Sequence, residues 1–413
     1  MRIGKQSKRR VREERSRRYA GRSQKGAKPG AATVIRAAPV PVRMIVLDVC
    51  QSLSGRWHDA PVGESTRTLG RSGIEVSALG MGCWAIAGPW AAGQAPLGWG
   101  AVDDEESVRT IRRALECGVT LFDTADTYGA GHGERILGRA LAGRRDAAVI
   151  ATKWGYTFDE RTRQAIGPDA SPAYLRRAVR DSLRRLGTDR IDLYQLHLAD
   201  LPVPRAQELI GALEDLVAEG LVRAYGWSTD RADRAAAFGH DAPHAAAVQH
   251  GLSVLRDAPD LLAVCEKYDL ASVNRGPLGM GLLTGKYHPA STLPRDDVRG
   301  MTSGWLEWFR GGRPAPEWLR RVHAVRATLT ADGRTLAQGA LGWIWARSGR
   351  TIPIPGCRTV AQVEENAAAL ALGPLAPDHF AEVERQLAAL RTAALREADR
   401  PYWPSPMLPT ARP

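Results

Sequence analysis

The sequence predicts an α/β fold, a closed parallel (β/α)8 TIM barrel with an N-terminal β-hairpin and an extra C-terminal helix. Three observations carry this. Eight short apolar runs recur along the body of the chain. Amphipathic stretches with helix start and stop residues separate them, as repeated strand–helix units require. No G-x-G-x-x-G follows the first run, so an open doubly wound sheet lacks its usual dinucleotide signature. Gly129-Ala-Gly131-His-Gly133 follows the second run and has the wrong spacing.

The elements follow in order. Residues 67–79 read as two short strands around Ser72-Gly73, a hairpin signal. The apolar runs are 79–83, 119–122, 148–152, 191–196, 221–226, 246–249, 270–274 and 351–354. Stretch 171–186 is the clearest helix. Ser171 offers an N-cap and Pro172 fits the first helical position. Leu175, Ala178, Val179, Ser182, Leu183 and Leu186 then share one face at helical spacing. Residues 104–117 put Val108, Ile111 and Leu115 on one face and stop at Gly118. Residues 206–219 do the same with Leu209, Leu213, Leu216 and Val217, and stop at Gly220. A long Gly- and Pro-containing loop is expected at 285–316, of the kind that folds over a ligand. Thr359-x-x-Gln362 reads as a capping box opening one more helix.

Charge divides the chain. It carries 57 Lys+Arg and 45 Asp+Glu, a net +12, and 12 of the basic side chains against two acidic ones lie in residues 1–30. The body is close to neutral, which excludes a nucleic-acid-binding fold whose cations cover a folded face. Residues 1–60 are expected to be a disordered basic extension, 61–398 the barrel, and 399–413 an irregular Pro-rich tail. Stretch 31–50 is broken by Arg36, Arg43 and Asp48, so no secretory signal is expected there. A transit peptide, or translation from Met44 or near Arg67, stays open. No run reaches about 18 apolar residues, so no membrane span is expected. The five cysteines include no C-x-x-C pair, which points to reduced thiols and a cytoplasmic protein. His240 and His244 flank Pro243 without an H-E-x-x-H glutamate, and no metal site is expected.

Only seven basic residues are Lys, and the body keeps just Lys153, Lys267 and Lys286. Arg cannot act as a compact amine, so a retained Lys invites a chemical reading. Barrel chemistry sits where strands end. Just past the second run stand Asp123 and Tyr128, past the third Lys153, and past the fourth His197. Singly, each has a bland reading: a turn cap, rim packing, a solvated loop lysine, a buried histidine. Together they form a proton-donating set. A free phenol with a pKa near ~10 is a sluggish acid at neutral pH, and an adjacent ammonium stabilises its anion and is expected to lower that value. Asp123 would keep Lys153 charged, Tyr128 would give its proton to a developing alkoxide, and His197 would polarise the same oxygen.

Over 67–390 the chain resembles the aldo-keto reductases, NADPH-dependent carbonyl reductases on a (β/α)8 barrel. The motifs are Gly80-Met-Gly82, Phe122-Asp-Thr-Ala-Asp-Thr-Tyr-Gly129, Thr152-Lys153, Leu196-His197 and Gly279-Met-Gly-Leu-Leu-Thr-Gly-Lys-Tyr287. The resemblance implies a catalytic tetrad of Asp123, Tyr128, Lys153 and His197. It implies that Ser228, Thr229 (where Asn is usual) and Gln249 hold the nicotinamide carboxamide. Arg275 stands where an aromatic ring commonly stacks, and a guanidinium plane can stack too. Thr284 and Lys286 would approach the pyrophosphate. Arg358 would grip the 2′-phosphate, with Gln362, Glu365 and Asn366 toward the adenosine, and Gly356 would also border the cofactor. Trp84 and Trp154 are expected to line an aromatic substrate pocket, with Trp90, Trp99, Trp305 and Trp308 also near rim loops. The expected partner is a small carbonyl compound. Two other readings stay open. One is an NADPH-binding sensor subunit, as among relatives that accompany potassium channels. The other is a Schiff-base lyase using Lys153 as nucleophile.

Overall fold

In a computed structural model, residues 65–301 and 306–394 are described, with side chains to 390. The expected basic extension (1–60) and Pro-rich tail (399–413) lie outside the described residues.

The eight apolar runs form eight parallel strands: β1 Gly80–Gly82, β2 Leu121–Asp123, β3 Val149–Trp154, β4 Ile191–Leu196, β5 Val222–Ser228, β6 Ala245–Gly251, β7 Ala271–Arg275 and β8 Thr351–Pro353. Each pairs with its neighbour in sequence. The cylinder closes where Gly82 N donates to Pro355 O at 3.0 Å and Gly82 bridges Gly356, just past β8. Closure leaves no open edge, and burial on both faces explains why the strands read as continuous apolar runs.

The hairpin, Thr66–Thr68 against Glu75–Ser77, plugs the lower end. Its Leu69, Ile74 and Val76 pack among the inward residues Leu121, Ala151, Leu193 and Ile352. The approach is tight. Gly70 sits at φ +46, and a Cβ there would overlap Ala246 O and Asp269 O, so only glycine fits.

The helices are α1 Asp104–Glu116, α2 His132–Leu141, α3 Pro172–Leu186, α4 Ile210–Ala218, α5 Ala232–Asp241, α6 Pro259–Lys267, α7 Pro316–Leu329, α8 Leu336–Arg347, α9 Val360–Leu372 and α10 Pro377–Ala394. Local chemistry sets their ends. Asp103 caps α1 by accepting from Glu105 N and Glu106 N at 2.9 and 3.2 Å, and three acids in the first turn suit the helix dipole. Ser171 Oγ accepts from Tyr174 N at 3.1 Å, with Pro172 first in α3 and Gly187 left-handed at its end. The α3 face at 175, 178, 179, 182, 183 and 186 is buried as its spacing requires. Helices α7 and α10 pack on each other as additions to the ring.

Two expectations are corrected. The helix expected over 206–219 is two pieces, Val203–Gln207 and α4; between them Leu209 N reaches back only three residues, to Ala206 O at 3.1 Å. The capping box of α9 is incomplete. Thr359 Oγ1 accepts from Gln362 N, but Gln362 Oε1 takes Arg358 N, one residue earlier than the reciprocal bond needs.

Three insertions stand on the rim where strands end. A small hairpin, Ala91–Ala92 with Ala95–Pro96, joins the hairpin Tyr156–Asp159 with Gln164–Pro168 into a four-stranded sheet. The loop after β7 turns through Gly279–Thr284, where Gly279, Met280 and Gly281 all have positive φ. Its continuation is tied back at Val298 N to Gly98 O, 2.7 Å. Among the described residues no helix is long and apolar enough to cross a membrane.

Candidate active site

Strand alternation decides which side chains reach the rim. On β3, Val149 and Ala151 point into the cylinder with the plug, while Ile150 and Trp154 pack outward under the helices. The period of two therefore sends Lys153 inward. Asp123 ends β2, and Gln195 on β4 lies in register with Lys153.

These side chains form one hydrogen-bonded cluster. Lys153 is fully buried. Its Nζ donates to Asp123 Oδ2 at 2.7 Å, to Thr124 O at 2.8 Å and to Tyr128 Oη at 3.2 Å. The other Asp123 oxygen accepts from Gln249 Nε2 at 2.7 Å and Gln195 Nε2 at 3.2 Å. Every ammonium proton and both carboxylate oxygens are thus engaged, the condition under which a buried ion pair is tolerated. His197 stands edge-on to Tyr128, 5.8 Å between ring centres. Its Nδ1 is buried and has no hydrogen-bond partner among the described residues.

The electrostatics suit a proton donor. Burial pushes the Tyr128 phenol above its ordinary value, and the Lys153 charge pulls the other way. The net direction corrects the expectation of a lowered phenol: in the resting site burial outweighs the ammonium, and the hydroxyl stays protonated. Burial works against the Lys153 charge, but Asp123 and Tyr128 overcome it and hold the ammonium above its usual value. Burial, then Lys153 and Arg275, hold the His197 imidazole well below its usual value, so it is neutral near pH 7.

The cluster opens on a cavity of about 360 Å³ that runs from Tyr128 and His197 to the start of α9. At the near end stand Trp84, Asp123, Ser228, Gln249 and Arg275. The far end holds Thr284, Lys286, Arg299, Gly356 and Arg358, then Gln362, Glu365 and Asn366. Burial, then Arg299 and Arg358, draw the Lys286 ammonium below its ordinary value. Three cations crowd there beside a helix N-terminus; Arg299 is paired with Asp297, and Arg358 donates to Trp99 O at 2.8 Å.

Most of the residues expected at the site line this cavity, and three do not: Lys153 lies buried behind Tyr128, and Trp154 and Thr229 are placed elsewhere. Trp154 is corrected: the alternation that turns Lys153 inward turns Trp154 outward, where it stacks near Tyr174 and Tyr194 at 6.5 and 6.2 Å. Thr229 is also corrected. Its Oγ1 donates to Ala199 O at 2.9 Å, in the core. Of the other rim tryptophans, Trp99 lines the cavity, Trp308 is buried in the core, and Trp305 lies outside the described residues.

Several participants escaped the sequence reading. Gln195 is one residue inside a strand, with only its inward parity as a signal. Arg299 bonds Asp297 at 2.9 Å, Met280 O at 3.0 Å and Tyr287 Oη at 2.7 Å, and stacks over Trp99 at 4.2 Å. It so clasps two rim loops together. Asp230, just past β5, pairs with Arg275 at 2.7 Å. Both loop partnerships are invisible without the fold.

Comparison with known proteins agrees with this fold. The model of the aldo/keto reductase family matches residues 78–388. The aldo-keto reductase YhdN of Bacillus subtilis (strain 168) is 33% identical over 301 residues, covering 72% of this chain and 86% of that protein. Among solved structures, the glycerol dehydrogenase AKR11B4 of Gluconobacter oxydans aligns with a TM-score of 0.65 and 30% identity, over 84% of this chain and 100% of that one. An aldo/keto reductase of Klebsiella pneumoniae in complex with NADP and acetate aligns with a TM-score of 0.57 and 27% identity, over 78% and 95% of the two chains.

Proposed function

The chain belongs to the aldo/keto reductase family, and from that premise we propose that it reduces aldehydes or ketones to alcohols with NADPH, Tyr128 acting as general acid. One observation carries the reading: the chain of bonds from Asp123 through Lys153 to Tyr128 ends at a cavity, beside His197. The donor set fits the cofactor. Ser228 and Gln249 would hold the carboxamide, Arg275 would border the nicotinamide ring, and Thr284, Lys286 and Arg358 would hold the phosphates. NADPH, when bound, supplies the hydride.

The protein's own groups handle the oxygen. As charge gathers there, Tyr128 transfers its hydroxyl proton. Lys153, 3.2 Å away, steadies the phenolate left behind. Asp123 keeps Lys153 charged and fixed. His197, neutral, donates one hydrogen bond to the same oxygen without adding a charge. Trp84, stacked 5.9 Å from the Tyr128 ring, walls the substrate side.

The test is Tyr128→Phe. NADPH titration by fluorescence is expected to match the parent, while turnover on a panel of carbonyl compounds drops by about 10²–10⁴. Unchanged turnover would falsify the assignment. If the parent binds NADPH yet turns over nothing on the panel, the sensor reading replaces this one.

A further inference from the structure

We infer that Arg275, anchored by Asp230, makes the reaction bay favour the reduced nicotinamide over the oxidised one, and so tilts the site toward carbonyl reduction. The inference rests on the reductase reading above.

The anchoring is specific. Arg275 ends β7, and one of its terminal nitrogens lies 2.7 Å from Asp230 Oδ2. The other oxygen of Asp230 accepts from Gly251 N at 2.8 Å, at the end of β6. Asp230 itself follows β5. Three successive strand ends therefore fix one guanidinium, and the two side chains are only 15% and 10% exposed.

The pair is also oriented. Arg275 lines the cavity, and Asp230 is not among the residues that do. The positive end faces the bay and the negative end lies behind it. Asp230 is held as an anion: burial works against its charge, but Arg275 and Arg256 outweigh it. Arg275 lines the same cavity as Tyr128 and His197, and its charge acts on both.

Hydride transfer fixes where the ring must be. The donor carbon has to come within about 3–3.5 Å of the carbonyl carbon, whose oxygen Tyr128 and His197 address. The ring therefore shares the bay with Arg275. The reduced ring is neutral and the oxidised ring carries a positive charge. A fixed cation at short range in a partly buried bay disfavours the second and leaves the first alone. The Asp123–Lys153 pair is present whatever stands at 275, so substitution at 275 isolates this effect.

The experiment uses the full chain and measures dissociation constants for NADPH and NADP⁺, by fluorescence or calorimetry, with no substrate. The parent is expected to bind NADPH more tightly. Arg275→Met, which keeps bulk and removes charge, is expected to shrink the ratio of the two constants about tenfold. For a two-electron couple, tenfold corresponds to about 30 mV in the potential of the bound cofactor. Arg275→Lys, which keeps the charge and loses the plane, is expected to retain most of the ratio. Should the Met variant fail to fold, Arg275→Gln serves in its place. A ratio unchanged in the uncharged variant, or one lost equally in the Lys variant, overturns the inference and leaves the reductase reading standing. Failure of the parent to bind either nucleotide overturns both.

Discussion

On the inner face of β3, Lys153 holds Asp123 and Tyr128. On the outer face of the same strand, one residue earlier, Thr152 donates to Glu134 at 2.6 Å, and Glu134 holds Arg185 at 2.6 Å. Arg185 also bonds Glu160 at 2.9 Å and Ser182 at 3.3 Å. Both networks bury full charges, and both satisfy them. They differ in where they lead. The inner one ends at a phenol on the cavity wall. The outer one runs under α2 and α3 to the exposed Glu160 and contributes nothing to the cavity wall, with the buried carboxyl of Asp126 beside it near Tyr174. Buried charge by itself does not mark chemistry; buried charge that leads to the cavity does.

The contrast breaks most sharply under paired substitutions. Lys153→Met removes the charge that steadies the phenolate, and turnover is expected to fall by about 10²–10³. Asp123 keeps the amides of Gln195 and Gln249 but loses its counter-charge, so a stability loss of about 3–5 kcal/mol is expected with it, and turnover is read on the folded fraction. Arg185→Met leaves Glu134 buried and unpaired, so a stability loss of about 3–5 kcal/mol is expected. Turnover of its folded fraction should stay within a few-fold of the parent. Urea denaturation and steady-state kinetics on both variants check this. Equal loss of turnover in the two would mean that the outer network takes part in the reaction.

How far the sequence foretold this follows from the same strand. The eight apolar runs show the barrel because parallel strands in a closed cylinder are buried on both faces. The four reactive residues show because each stands just past such a run. Parity was not legible. A continuously apolar strand carries no polar alternation to say which residues face in, and so Trp154 was expected beside the substrate and Gln195 was passed over. Partnerships between rim loops were not legible either. Arg299 with Trp99, and Arg275 with Asp230, join positions remote in sequence whose meeting only the closed barrel provides.

Asp126 sharpens the comparison through pH. Burial, then Glu134, push its carboxyl well above the usual range, against the pull of Arg185. Below pH ~4 the folded and unfolded forms are both protonated there. As pH rises from that value, the unfolded chain releases the proton and the folded one keeps it. The carboxyl therefore lowers stability by about 1.4 kcal/mol per pH unit until its folded value is reached. Asp126→Asn removes that dependence. Its stability relative to the parent is expected to climb from pH 4 toward neutrality, read from urea midpoints at unit steps. A flat difference would mean that Asp126 is ionised in the folded protein and belongs with the charged pairs.

The smallest expected effects separate the two tryptophans assigned at first to one pocket. Trp84 borders the cavity, stacks on Tyr128, and fixes its indole by donating to Leu97 O at 3.0 Å. Trp154 is wholly buried behind the strand. Trp84→Leu should change KM across a series of carbonyl compounds of increasing bulk, by several-fold at the large end, because it reshapes a wall that substrate touches. Trp154→Phe trims a packed core, so it should cost about 1–3 kcal/mol of stability and leave the KM series unmoved. A KM series that shifts with Trp154→Phe and not with Trp84→Leu would reverse the two faces of β3. The inward placement of Lys153 would then have to be given up with them, since one alternation fixes both.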